Sequence, residues 1–119
     1  MAKMLVSITH AKDNRDKATI GFVVANAAAA SGVETAVFLT SEGVYLSQRE
    51  YNTDIHEEGF QPLPALIASY VANGGQIWVC SPCFKRRGLV EDQLVANAII
   101  TGAGKAVEFL VDGAASISY

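Results

Sequence analysis

Short apolar runs alternate along the chain with longer stretches whose apolar residues recur at helical spacing. Lys3 to Thr9 is an apolar run that stops at a polar break, and it predicts a first strand. Asp13 then offers an N-cap oxygen, and Asp16 places a carboxylate near the positive end of the helix that follows. Ile20, Val23, Val24 and Ala27 fall at i, i+3, i+4 and i+7, one helical stripe, and Gly32 supplies a C-terminal stop. Thr35 to Leu39 is β-branched and aromatic and predicts a second strand, followed by a turn at Ser41-Glu42-Gly43. Tyr45 to Glu58 is polar and weakly patterned, which predicts one short helix and an exposed loop. Pro62 and Pro64 open a helix carrying Leu66, Ile67, Tyr70 and Val71, closed by Asn73-Gly74-Gly75. Gln76 to Cys80 predicts a third strand and Ala98-Ile99-Ile100 a fourth. Ala106, Val107, Leu110 and Val111 favour a helix over Lys105 to Asp112, and Ala115 to Tyr119 predicts a fifth strand.

Strand and helix in alternation imply an α/β domain over residues 1–119: a flavodoxin-like, five-stranded parallel sheet with helices on both faces. No repeat or linker divides the chain, and the run Ala27–Ala30 is helix-forming sequence. Half of the 119 residues are hydrophobic and 18% are charged, so the chain can bury a core, and disorder is excluded as its main state. A net charge of −3 implies no strongly basic face, which argues against a direct nucleic-acid partner. The most apolar long stretch, Gly21 to Gly32, contains Asn26 and Ser31 and falls short of a membrane span. Met4 to Ile8 is too short for a secretory leader core, and His10, Lys12, Asp13 and Arg15 follow at once. A cytoplasmic protein without a membrane partner is expected.

The two cysteines, Cys80 and Cys83, share one four-residue stretch and cannot staple distant loops together. In a reducing compartment such a pair points to reactivity or metal binding. Cys80 falls at the carboxyl end of the third strand, the edge where open α/β sheets bind ligands. Ser81 is a suitable N-cap, Pro82 a suitable first helical residue and Gly88 a stop, so Cys83 lies in the first turn of a short helix. Free backbone N–H groups there, with the charges of Lys85, Arg86 and Arg87, favour thiolate over thiol. A lowered cysteine pKa is therefore expected. The competing reading is a packed sulfur beside a solvated basic face.

Three chemistries use such a pair. Thiol–disulfide exchange is suggested by Trp78, Cys80, Pro82, Cys83 and Lys85, which superficially resemble a thioredoxin motif. The stretch comes late in the chain, however, and no proline follows it to fill the cis-proline role. Zinc would find four ligands in number in Cys80, Cys83, His10 and His56, but the chain lacks a second close pair. The third chemistry is sulfur transfer through a cysteine persulfide.

Two motifs carry a family resemblance that favours the third. Phe38-Leu39-Thr40-Ser41-Glu42-Gly43-Val44-Tyr45 is similar to an aromatic-rich strand followed by Gly-Val-Tyr. Cys80 followed by Arg86-Arg87-Gly88-Leu89-Val90-Glu91 is similar to a stretch in which a cysteine precedes Arg-Arg-Gly-Val-Val-Asp at the same spacing. In this order and over the whole chain, the sequence resembles the DsrE/DsrF-like family, which includes a subunit of a bacterial tRNA sulfur relay. The resemblance implies that Cys80 accepts sulfane sulfur as a persulfide, in a sulfurtransferase-like role with donor and acceptor proteins. It also implies a trimeric or hexameric assembly. Cys83 departs from the matched relay stretch: it could resolve a Cys80 persulfide, carry sulfur itself, or be incidental.

Other residues add less. In a flavodoxin-like order the first and third strands are neighbours, so His10 would share an edge with Cys80 as a base or anion contact, unless it is an ordinary loop histidine. His56 is expected in solvent. Tyr45 is a candidate for a pocket or interface contact, and Tyr51 for packing. Gly102-Ala103-Gly104 is too short for a phosphate loop, no carboxylate pair stands out, and neither a metal nor a cofactor is implied. The apolar final helix and strand exceed what so small a domain can bury, which favours a homo-oligomer.

Overall fold

Among residues 2–119, which the computed structural model describes, five strands and four α-helices alternate along the chain. They are β1 (Lys3–Ile8), α1 (Arg15–Ala30), β2 (Glu34–Leu39), α2 (Leu63–Ala72), β3 (Gln76–Cys80), α3 (Ser81–Arg86), β4 (Ala98–Thr101), α4 (Ala103–Val111) and β5 (Ala115–Ser118). All strand pairings are parallel, so the flavodoxin-like α/β class expected from the alternation holds. The strand order is β4-β3-β2-β1-β5. β2 therefore lies between β1 and β3, which corrects the expectation that those two are neighbours.

Period-two alternation sorts the strand residues onto two faces. Val6, Ile8, Val37, Leu39, Ile77 and Val79 point to one side and pack with Phe22 and Ala25 of α1, Leu66, Ile67 and Tyr70 of α2 and Phe84 of α3. Phe22 and Tyr70 meet edge to face at 5.9 Å there. Leu5, Ala36 and Trp78 point to the other side, where α4 supplies Ala106 and Phe109. Helices thus cover both faces, but unequally. On the α4 side Ile99, Val107, Leu110 and Val111 stay exposed, Val111 by 82%.

The helix ends follow the sequence signals with two corrections. Asn14, not Asp13, caps α1: its Oδ1 accepts the Lys17 N–H at 3.1 Å, while Asp13 accepts the Ala11 N–H at 2.7 Å. At α3 the cap position is Cys80 itself, and Ser81 is already helical. At the other end of α1 the Gly32 N–H bonds the Ala29 carbonyl with φ of +81°, the left-handed stop expected.

The larger correction concerns residues 41–58. Ser41–Ser47 winds as a 3-10 helix and Glu50–Asn52 as a short second one. The loop is exposed only in part: Thr53, Asp54, His56 and Glu58 face solvent, while Val44, Leu46, Ser47, Asn52 and Ile55 are buried. Asn52 Nδ2 donates to the Leu46 carbonyl at 2.8 Å and ties the two turns together. Gly43 lets the first turn lie directly on the end of β1. A Cβ built there would stand 2.1 Å from the Ile8 carbonyl oxygen, so only glycine fits without movement. That seat carries Ser41 across the carboxyl edge of the sheet.

Candidate functional site

The ends of β2 and β3 are adjacent, since Leu39 pairs with Val79. The chain leaving β2 rises into the 3-10 helix, and the chain leaving β3 enters α3 at once. This brings Ser41 against Cys83 from 42 residues away in sequence. The Ser41 N–H donates to Cys83 Sγ at 3.4 Å. Ser41 adopts φ of +54°, a left-handed conformation that a serine holds only against a steric cost. The turn that aims the N–H is therefore held by its surroundings, chiefly the Gly43 seat on Ile8.

Cys80 and Cys83 are both free and half-buried. The two thiols, three residues apart, influence each other's acidity in opposite directions. For Cys83, burial pushes the pKa up. The hydrogen bond from Cys80, the Ser41 N–H, the Arg87 charge and its own N–H outweigh that and hold the thiol below its ordinary value. For Cys80, burial again pushes upward, and the hydrogen bond to Cys83 adds to it. The Cys83 N–H and the Arg87 charge do not compensate, so the thiol stays above its ordinary value. The expected lowering therefore falls on Cys83 alone, and Cys80 moves the other way. At a CxxC pair one proton shared between two sulfurs has this consequence: the donor sulfur becomes the weaker acid.

The basic run divides as well. Arg87 Nη1 donates to the Cys83 carbonyl at 3.2 Å, and Arg87 Nε lies 3.7 Å from the Glu42 carboxylate. The guanidinium thus bridges the two segments that hold the thiols. Lys85 and Arg86 are exposed and do not act on either sulfur.

His10 is not brought to Cys80, because β2 intervenes. Its Nδ1 instead meets Asp13 Oδ2 at 2.8 Å. His56 Nε2 donates to the Phe60 carbonyl at 2.9 Å. Tyr45 stacks on Tyr51, with ring centres 5.1 Å apart and planes 22° from parallel. The Tyr51 hydroxyl accepts the Lys12 N–H at 2.8 Å, which fits the packing role expected for it. Ser41 and Glu42 are site residues that the sequence presented only as a turn. The signal for them was present in the aromatic strand followed by Gly-Val-Tyr, but the adjacency of β2 and β3 was needed to use it.

The chemistry open to this arrangement is that of an acidic thiol with a second thiol three residues away. No group of three or more His, Cys, Asp or Glu side chains among the described residues is placed to hold a metal ion. Nor is any helix there long and apolar enough to cross a membrane.

Comparison with known proteins bears on the family and the fold. The sequence model of the DsrE/DsrF-like family matches residues 2–119. An uncharacterized protein of Methanocaldococcus jannaschii, MJ0989, is 31% identical over 96 residues, which are 81% of either chain. A second uncharacterized protein, MK0008 of Methanopyrus kandleri, is 28% identical over 90 residues, 76% of this chain and 71% of that one. Among solved structures, the ychN protein from E. coli superposes over the full length of both chains with a TM-score of 0.80 at 14% identity. MTH1491 from Methanobacterium thermoautotrophicum does so with a TM-score of 0.71 at 18% identity. At those identities the structural matches speak for the fold alone.

Proposed function

The chain belongs to the DsrE/DsrF-like family, generally linked to sulfur metabolism or relay, and from that premise we propose that it is a sulfur carrier of a sulfurtransferase-like kind. In this reading Cys80 holds sulfane sulfur as a persulfide and passes it to the thiol of a partner protein. One observation carries the reading: a close pair of free thiols at the carboxyl edge of the sheet, one of them reached by the Ser41 N–H and kept acidic by it and by Arg87. The thiolate is the form that attacks a sulfur donor. Free thiols of this kind fit a reducing compartment such as the cytoplasm.

The sulfur is handed on by thiol exchange. An acceptor thiolate attacks the outer sulfur of Cys80–S–SH, the bond to Cys80 Sγ breaks, and Cys80 leaves as thiolate. After loading with glutathione persulfide and removal of the excess, the wild type should carry sulfur on Cys80 and lose it from there to a thiol acceptor. A wild type that delivers sulfur without ever carrying it on Cys80 would overturn the role of Cys80.

A thiol–disulfide function is the second reading, favoured by two free cysteines three residues apart at the start of α3. It requires a Cys80–Cys83 disulfide that forms at a physiological potential, and a redox titration without that couple removes it.

The assembly is proposed on the α4 face. Ile99, Val107, Leu110 and Val111 remain exposed where a second copy of the chain would cover them. A homo-oligomer, trimer or hexamer, should sediment at that multiple of the 12.6 kDa chain. A monomer at micromolar concentration would contradict it.

A further inference from the structure

Resting on the sulfur-carrier reading, we propose that the pair is a two-step relay: Cys83 receives the sulfur and Cys80 holds it. The geometry separates these tasks. Cys83 Sγ is the sulfur that the Ser41 N–H reaches, and Arg87 grips the backbone of the same residue. Cys80 ends β3, where its backbone belongs to the sheet through Thr101, three residues before Cys83. A donor persulfide thus meets a prepared thiolate at Cys83, with the second thiol nearby.

The steps balance without an added oxidant or reductant. The Cys83 thiolate attacks the outer sulfur of a low-molecular-weight persulfide R–S–SH. A bond forms between Cys83 Sγ and that sulfur, the S–S bond of the donor breaks, and RS⁻ departs. Cys83 now carries –S–SH. Cys80 then loses its proton to solvent and attacks the same outer sulfur. The new bond is to Cys80 Sγ, the bond to Cys83 Sγ breaks, and Cys83 returns as thiolate. The transferred sulfur keeps its oxidation state throughout.

The direction follows from leaving-group chemistry. The more acidic of two thiols departs faster and is displaced by the more basic one. Cys83 is the better leaving group and Cys80 the stronger nucleophile once deprotonated, so sulfur placed on Cys83 runs to Cys80. The Ser41 N–H and Arg87 favour the Cys83 thiolate again at the end of the step. Cys80 is the cysteine that matches the family spacing to Arg86-Arg87-Gly88, and the added Cys83 gives it a receiver.

Rapid mixing with glutathione persulfide, quenching by alkylation and mass mapping of the sulfur position test the relay. In the wild type, sulfur should appear first on Cys83 and then on Cys80. Cys83→Ser and Cys83→Ala should each load Cys80 about tenfold more slowly than the wild type loads in total. Cys80→Ser should keep on Cys83 whatever sulfur it loads. Wild-type loading speed in both Cys83 variants would overturn the receiving role. Sulfur that stays on Cys83 in the wild type would overturn the transfer, as would a Cys80–Cys83 disulfide with released hydrosulfide. Failure of every form to load would instead overturn the sulfur-carrier reading beneath it.

Discussion

Gly43→Ala should destabilise the fold by about 2–3 kcal/mol, as expected for a methyl forced into packed backbone. The added Cβ would stand 2.1 Å from the Ile8 carbonyl oxygen and 2.9 Å from its carbon, so neither side can yield by a side-chain rotation. The Ser41–Ser47 turn has to lift from β1. Val44 and Leu46, both fully buried, move with it, and the Thr40 N–H loses the same Ile8 carbonyl, which it now bonds at 3.2 Å. The effect reaches the site, because lifting the turn withdraws the Ser41 N–H from Cys83. The midpoint of urea unfolding reads the first effect, and the iodoacetamide rate at neutral pH, which should fall, reads the second. Gly104→Ala is the control. A Cβ there meets nothing within 4 Å, and alanine suits a helix better than glycine, so stability should hold or rise. An unchanged midpoint in Gly43→Ala would show that the turn does not depend on its seat against Ile8.

The second large effect belongs to Arg87. Arg87→Gln removes the charge that favours the Cys83 thiolate and the ion pair that reaches Glu42. Alkylation of Cys83 near neutral pH should slow several-fold, and its pH midpoint should move up toward that of an ordinary thiol. In the wild type the two cysteines should titrate on opposite sides of that ordinary value, Cys83 below and Cys80 above. The signs carry into stability. Cys83, more acidic when folded, contributes stability that is present above the unfolded thiol pKa and is lost as pH falls through its folded value. Cys80, less acidic when folded, contributes stability present below the unfolded value and lost as pH rises through its folded one. Both thiols are partly open to solvent, so the clear readout is reactivity rather than unfolding. A rate unchanged by Arg87→Gln across the pH range would contradict the assignment of the thiolate to Cys83.

The parts of this molecule that were legible in sequence are those with local causes. β3 reads directly from Gln76 to Cys80 because Gly74-Gly75 precede it and Ser81-Pro82 turn the chain after it. α4 was recovered from the spacing of Ala106, Val107, Leu110 and Val111, although only Ala106 of those four is buried. Residues 41–58 were misread for a physical reason. A 3-10 turn buries Gly43, Val44, Leu46 and Ser47, a pattern with neither the period of a strand nor that of an α-helix. Strand order has no local signal either, and with it went the proposed meeting of His10 and Cys80. The thiols show the same limit. Spacing placed Cys83 in the first turn of a helix, but the decisive N–H comes from Ser41 on another segment, and the neighbouring Cys83 disfavours the thiolate at Cys80. The family resemblance rests on these two stretches, and the fold brings them together.

The measurement that bears most directly on the central claim is the intact mass of the folded protein after brief exposure to glutathione persulfide. The wild type should gain sulfur that a thiol reductant removes, while the double variant Cys80→Ser, Cys83→Ser gains none. A wild type that gains no reductant-labile sulfur, or a double variant that gains as much, would contradict the account.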